Sequence, residues 1–185
     1  MRYFTDIQIV VVNQALIAKA QNFAKQVTPT IGVRGRGYLD ANQFNLQKIA
    51  KDHFVSKLGE EATRIVFEQH QHQVWGPDYQ IYSGVQKSWD ADLHVNGVEL
   101  AVKSQSASLA QRFGLSWTFQ AGVHRKDPIL NNPDAWVCFV KVDETTYQCS
   151  VYPPYQIREL KFADPKLDRL KGCKKVVYAE SLRLT

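Results

Sequence analysis

The spacing of apolar side chains changes near residue 72, and this change limits the fold more strictly than any other feature of the sequence. Before it, apolar residues recur every three or four positions, which is typical of helices with one buried side. After it, short apolar runs alternate with polar and turn residues, which is typical of strands. Helices followed by a hairpin-rich sheet predict one mixed α/β domain, with an N-terminal helix and basic loop (1–40) and a core (41–180).

Two long helices are predicted in the N-terminal part. The first covers 6–26 and ends before a Thr-Pro pair, because a residue that precedes proline avoids helical dihedral angles. The second covers 41–58, with Asp40 as the N-cap of a capping box. Gly59 is its expected end, and a short third helix is expected over 60–69.

A tight hairpin is predicted at Asn96-Gly97, because this pair favours the positive φ angles that a two-residue turn requires. Further alternating segments indicate more strands, and the Pro-Pro pair after residue 152 is expected to break one of them. The predicted elements are strands at 80–82, 91–95 and 98–104, a helix at 106–113, a hairpin of 136–142 with 147–152, a helix at 155–161 and a strand at 175–179.

Composition narrows the functional classes. The net charge of +5 favours a polyanionic partner, since Lys and Arg contacts to phosphates supply most nonspecific affinity for nucleic acid. No apolar run approaches the ~18 residues of a membrane span, and the N-terminus lacks a signal-peptide layout. Three cysteines without CxxC spacing predict neither a disulfide framework nor a zinc site, and Cys138 is expected to be a buried small hydrophobe. We expect an intracellular, cytoplasmic protein.

The segment 89–105 contains the most informative residues. Side chains alternate along a strand, so Glu99, Ala101, Lys103 and Gln105 share one face. Val98, Leu100 and Val102 point the other way, into a core. The turn at 96–97 brings Asp92 opposite the 101–103 region of the partner strand.

A carboxylate that faces a lysine across a hairpin is often only a cross-strand ion pair. The same pair also suits phosphodiester hydrolysis. The carboxylate can hold Mg²⁺ through oxygen ligands, and the lysine can orient a water or stabilise the charge that develops in the transition state.

Asp92, the following strand and turn, and Val102-Lys103 resemble the motif of the PD-(D/E)XK nuclease superfamily, which includes many restriction endonucleases. The resemblance covers roughly 40–142, with helix 41–58 at the place of the first core helix. It implies a restriction-endonuclease-like core, a mixed central sheet flanked by helices, and Mg²⁺-dependent cleavage that leaves a 5′-phosphate. Asp92 is then the metal ligand and Lys103 the catalytic lysine, and Gln105 shares the face of Lys103.

Two positions depart from this motif. Ala91 replaces the usual proline, and Ala101 stands where the superfamily has an acidic metal ligand. Glu99 is our first choice for the missing ligand, because it lies on the same strand face. Alternatively, a glutamate from a helix supplies it, or Ala101 marks an active-site mutant of such an enzyme. The helix candidates are Glu60, Glu61 and Glu68.

Other residues are secondary candidates. Asp90 and Asp78 compete less well with Asp92 as the motif aspartate, and Gln47 lies on helix 41–58 where the superfamily often has a glutamate. His94 is expected to be either near the metal or a sheet-packing residue. Predicted DNA contacts are Arg34, Arg36, Ser104, Gln105, Ser106, His124, Arg125 and Lys126. For the charged residues of this set the alternative is an ordinary solvated loop charge, and for Ser106 it is a helix N-cap.

The sequence therefore predicts a Mg²⁺-dependent DNA endonuclease, of the type II restriction or homing type, which acts on double-stranded DNA as a homodimer. Prokaryotic or phage-type enzymes are the expected relatives. Two other functions remain open: a catalytically inactive nuclease fold that only binds DNA, and a basic structural protein that binds RNA.

Overall fold

The computed structural model describes residues 3–30, 45–82, 91–123 and 126–183. These residues form a mixed α/β fold in three layers. Two long helices cover one face of a seven-stranded mixed sheet, and a two-stranded sheet covers part of the other face. The mixed α/β class predicted from the sequence is confirmed.

The described helices of more than four residues are α1 (Gln14–Val27), α2 (Leu46–Gln69) and α3 (Ala107–Phe113). Their N-cap side chains, Asn13, Asn45 and Ser106, each accept a backbone N–H of the first turn. Asp40, the predicted cap of the second helix, lies outside the described residues. Within the described residues, the predicted helices 41–58 and 60–69 form one helix, which begins at Leu46 and continues through Gly59 to Gln69.

The strands in chain order are β1 (Gln8–Val11), β2 (Val74–Trp75), β3 (Leu93–Val95), β4 (Val98–Ser106), β5 (Ser116–Gln120), β6 (Trp136–Val142), β7 (Gln148–Val151), β8 (Tyr155–Gln156) and β9 (Lys174–Tyr178). The large sheet has the order β1-β7-β6-β4-β3-β2, and β8 also pairs with β6. Among the described strands, β4 and β6 run parallel, and the other pairs are antiparallel. Strands β5 and β9 form the small sheet.

The predicted hairpin at 96–97 is confirmed, since Asn96 has φ of 50° and Gly97 has φ of 80°. Three other predictions are wrong. Residues 6–26 begin as strand β1, because the β-branched run Ile9–Val12 pairs with β7 before the helix starts. Residues 80–82 form no strand, and 155–161 begin as strand β8 followed by a single 3₁₀ turn.

Strand β6 shows why the core has two parts. Val137 and Phe139 point to the aromatic cluster under the small sheet, whereas Cys138 and Val140 point to the cluster under α2. All four are fully buried, so the strand has no solvent face and reads as a continuous apolar run. The prediction that Cys138 is a buried small hydrophobe is confirmed.

Gly59 lies at the point where the backbone of α2 packs closely against β4. A Cβ at this position would lie 1.9 Å from Ser104 Oγ, 3.0 Å from Ser104 Cβ and 3.4 Å from Val140 Cβ. Glycine in a helix interior costs about 1 kcal/mol relative to alanine, so this residue opposes local helix propensity. The close approach to β4 explains why it is there rather than at a helix end.

Gly59→Ala is expected to destabilise the protein by about 1–3 kcal/mol, because the overlap with Ser104 outweighs the gain in helix propensity. Denaturant unfolding measures the difference. The double variant Gly59→Ala with Ser104→Ala should recover part of the loss, because it removes the nearest of the clashing atoms. A single variant as stable as the wild type would contradict this account of the contact between α2 and β4.

Candidate active site

Asp92 lies directly before β3, where the hairpin brings it against β4. Leu93 pairs with Leu100 in the antiparallel hairpin. Asp92, which precedes Leu93, therefore lies beside Ala101, which follows Leu100. The Asp92 Oδ2 atom accepts the Val102 backbone N–H at 2.7 Å. The predicted opposition of Asp92 and the 101–103 region is confirmed.

Lys103 has a different ion-pair partner than the hairpin alone suggests. Its Nζ lies 2.9 Å from Asp127 Oδ2 and 5.0 Å from the centre of the Phe119 ring. The same Asp127 oxygen accepts the Gln120 backbone N–H at 3.1 Å, which fixes the carboxylate at the end of β5. Lys103 is therefore held by the 121–127 loop, and the simple ion pair between Asp92 and Lys103 is not what the described residues form.

Helix α2 contributes a buried carboxylate to the same place. Glu60 is 3% exposed, and its Oε2 lies 2.6 Å from Lys57 Nζ. Its Oε1 accepts the Ser56 hydroxyl at 3.1 Å. The pKa of Glu60 is raised to about 8, first by burial and then by repulsion from Asp92, against the opposing effects of Lys57 and Ser56.

Asp92 belongs to the same electrostatic cluster. Its pKa is raised because burial outweighs the hydrogen bond from Val102 and the attraction of Lys103 and Lys57. Asp127 raises this pKa further by repulsion. Three carboxylates and two lysines, from α2, the β3–β4 hairpin and the 121–127 loop, thus act on one another across a small volume.

The remaining glutamates are placed differently. Glu61 is buried, but Arg64 and the Tyr79 hydroxyl bind its two oxygens at 2.8 and 2.9 Å. Glu68 is exposed and paired with the same arginine. Glu99 is exposed and lies opposite His94 in the hairpin, with its side chain at the wall of the cleft described below. Of the three helix candidates, Glu60 is the one that acts on Asp92.

A cleft of about 1080 Å³ lies between α2, the hairpin and residues 127–135. Asp92, Lys103 and Lys57 line it, together with Asp127 and Ser104. The Ser104 hydroxyl is buried and has no hydrogen-bond partner among the residues that the structure describes. The cleft is thus a place where a polar ligand meets carboxylates and two ammonium groups.

The donor set can be compared with the needs of a cation. Within the described ranges, no three His, Cys, Asp or Glu side chains group closely enough to enclose a metal ion. Mg²⁺ commonly uses one or two carboxylates and completes its shell with waters and substrate phosphates. Asp92 raises the pKa of Glu60 by repulsion, which a divalent cation would relieve, so these two carboxylates fit Mg²⁺.

Several predicted residues lie away from the cleft. The Gln105 amide binds the Gly114 carbonyl and the Ser116 N–H, which fixes the turn between α3 and β5. Ser106 is 2% exposed and caps α3, in agreement with the alternative reading of this residue. Lys126 is exposed and binds the Asn131 side chain. Gln47 is exposed in the first turn of α2. The α2 residue on which Asp92 acts is Glu60.

Two further predictions concern the cleft wall. Asp78 lines it and accepts the Gln80 N–H at 2.8 Å and the Tyr82 hydroxyl. Val98 was expected in the core but is 40% exposed near the turn. The predicted residues outside the described part of the chain are Arg34, Arg36, Asp90, His124 and Arg125.

Lys57, Asp127 and Trp75 also border the cleft, and none of them is among the site residues predicted from the sequence. Lys57 and Glu60 carry a weak signal, because two charges three positions apart interrupt the buried side of a long helix. Asp127 lies in an irregular segment, where no periodicity indicates which way a side chain points. Its role depends on the tertiary position of the loop.

Comparison of the chain with protein-family models, with curated proteins and with solved structures finds no match in any of the three. None of the described helices is long and apolar enough to span a membrane.

Proposed function

We propose that the protein is a metal-dependent DNA endonuclease that hydrolyses phosphodiester bonds in this cleft. The observation that carries the proposal is the half-buried Asp92, which lines the cleft with Lys103, together with the buried Glu60, whose pKa Asp92 raises. Burial makes both carboxylates costly to ionise, and carboxylates with raised pKa values beside a cleft are typical of functional sites, where a cation can neutralise them. Glu60, rather than Glu99, is the second acidic ligand in this proposal.

Each residue of the proposed site has a separate role. Asp92 and Glu60 would hold Mg²⁺, which when bound supplies a polarised phosphate and a water of lowered pKa. Lys103 lies at the cleft wall, where its ammonium group can stabilise the negative charge that develops on the phosphate. Asp127 positions that ammonium group through the ion pair at 2.9 Å. Lys57 partly neutralises Glu60 and so keeps the carboxylate pair tolerable in the folded protein.

The order of elements supports a restriction-endonuclease-like core. Helix α2 precedes the hairpin β3–β4, helix α3 follows, and β6 then returns parallel to β4. This is the order that the resemblance to the PD-(D/E)XK superfamily implies. Double-stranded DNA as substrate, a homodimer and a restriction or homing role belong to the same proposal and come from the resemblance.

The distribution of charge supports a nucleic-acid partner. Residues 158–175 contain seven basic and three acidic side chains, which accounts for four of the five net positive charges of the chain. Lys174, next to the last residue of the segment, lines the cleft. A basic surface that leads into a carboxylate cleft is the arrangement expected when phosphates are bound outside and cleaved inside.

Replacing Lys161 and Arg169 by alanine is expected to lower the salt dependence of DNA binding. Both side chains are exposed in the basic segment, and each lost phosphate contact reduces the slope of log K against log salt by about 0.9. Binding titrations at several salt concentrations in EDTA give this slope. The double variant Lys19→Ala with Lys25→Ala, on the exposed side of α1, is the matched control. Equal slopes in both double variants would exclude 158–175 as the contact surface.

The function itself is tested by incubating the purified protein with plasmid DNA in Mg²⁺ and in EDTA. Metal-dependent nicking or linearisation is expected. Ala101, and the lack of a close group of three ligands among the described residues, favour one alternative, an inactive fold that only binds DNA. In that case plasmid would be bound in a gel-shift assay but remain intact in Mg²⁺, and cleavage would appear on Ala101→Glu only if this position had lost its ligand.

A further inference from the structure

Trp75 is unusual among the aromatic residues of this protein. It is 55% exposed, whereas the other Trp, Phe and Tyr side chains of the described residues are buried or half-buried. Burial of an indole removes a large apolar area from water and stabilises the folded protein. The exposed Trp75 side chain lacks this stabilisation. An exposed tryptophan inside a cleft therefore points to a ligand that covers it.

The position of Trp75 relates it directly to the candidate site. It pairs with His94 on β3, and His94 pairs with Glu99 on β4, so the three side chains form one row across the sheet. Asp92 lies two residues before His94 on the same face. The row is therefore one strand repeat, roughly 7 Å, from Asp92.

Gly76 brings the chain against the metal-binding aspartate. With φ of +100°, it passes so close that a Cβ there would lie 2.8 Å from the Asp92 carbonyl oxygen and 3.0 Å from Leu93 Cδ2. A glycine is needed for this approach, both for its positive φ and for its lack of a side chain. The contact fixes Trp75 beside Asp92, and both line the same cleft.

The surroundings of Trp75 favour a nucleobase over an apolar protein surface. Its neighbours in the row, His94 and Glu99, are polar, so the row does not extend the indole into a larger apolar patch. Aromatic side chains beside a charged groove are the usual stacking surfaces for unpaired bases, since every base has a π-face.

We propose that Trp75 stacks on one unpaired nucleobase of the strand that enters the cleft, next to the phosphate that is cleaved. The proposal rests on the nuclease function proposed above. The base is supplied either by a strand that is already single or bulged, or by a nucleotide rotated out of a duplex. Both sources present the same chemistry, an exposed base face next to a phosphate.

Binding in EDTA tests this separately from cleavage. Fluorescence anisotropy is measured with three labelled DNAs: a perfect duplex, the same duplex with one unpaired nucleotide, and the single strand. Trp75→Ala is expected to weaken binding to at least one of them by about 5- to 100-fold. Trp75→Phe should retain most of the affinity, because it keeps an aromatic face. Val98→Ala, another exposed apolar residue of the cleft wall, is the matched control and should bind as the wild type does.

The pattern of losses identifies the source of the base. Weakened binding of the single strand and the bulged duplex alone indicates a base that is already unpaired, and weakened binding of the perfect duplex as well indicates rotation out of the stack. Unchanged affinities in Trp75→Ala, or equal losses in Val98→Ala, overturn the proposal. If the wild type then still cleaves plasmid in Mg²⁺, the nuclease function stands without the stacking contact. A wild type that binds none of the three DNAs overturns both.

Discussion

Glu60→Gln is expected to make the protein more stable at pH 8 and to remove most of its cleavage activity. In the folded protein the Glu60 pKa is about 8, against a reference value of 4.5. The folded state therefore binds a proton that the unfolded state has already released, and the stability of the wild type falls as pH rises from about 4.5 to about 8. Glutamine does not titrate, so the variant escapes this loss.

The stability difference has a defined pH window. Below about pH 4.5 Glu60 is protonated in both states, so the difference between wild type and variant is constant. It then grows with pH and levels off above about 8, where it reaches on the order of 1–4 kcal/mol in favour of Glu60→Gln. Melting temperatures recorded in EDTA across this range measure it. Glu68→Gln, an exposed position on the same helix, is the control and should show no such trend.

The activity of Glu60→Gln should change in the opposite direction. Loss of one of two carboxylate ligands is expected to lower cleavage by about 100-fold or more at fixed Mg²⁺. The rise in melting temperature that Mg²⁺ gives the wild type should also disappear, because a ligand stabilises only the state that binds it. Glu99→Gln decides between the two acidic candidates. If it loses cleavage while Glu60→Gln retains it, Glu99 is the ligand and the role given to Glu60 is wrong.

Asp92→Asn is expected to lower the cleavage rate by about 1000-fold or more, with little loss of stability. The amide oxygen can still accept the Val102 N–H, so the junction of β3 and β4 is kept. The negative charge needed for a divalent cation is lost, and with it the repulsion that raises the pKa of Glu60. Cleavage rates and denaturant unfolding of the same preparation separate the two effects. A variant that cuts plasmid at the wild-type rate would remove Asp92 from the site.

Lys103→Met completes this test from the other side of the cleft. The cleavage rate of this variant is expected to fall by about 100- to 10,000-fold, because the ammonium group is missing. The aliphatic part of the side chain still packs against Phe119. The matched control is Lys126→Met. Lys126 is the neighbour of Asp127 in the sequence, but its side chain is exposed and binds Asn131. DNA binding of Lys103→Met in EDTA should fall only slightly, because one phosphate contact contributes little to the total affinity.

The sequence determined those features whose cause is local. Alternation and the Asn96-Gly97 pair were sufficient to predict the hairpin, because turn geometry and register depend on neighbouring residues. The same reasoning placed Asp92 against the 101–103 region, which the Val102 hydrogen bond confirms. The mixed α/β class followed from the order of helical and strand periods. Strand β1 was missed because an apolar run of this length fits a helix or a strand equally well.

The tertiary structure decided what surrounds that hairpin. Helix α2 continues through Gly59 because β4 lies against it, and only this packing brings Glu60 to Asp92. Asp127 reaches Lys103 from a loop 24 residues away, and Trp75 reaches the cleft through an edge strand of two residues. These partners meet through contacts between distant segments, which no local spacing encodes. A carboxylate and a lysine could be read from the sequence, whereas the burial and the neighbouring carboxylate that raise the pKa of Asp92 depend on the folded chain.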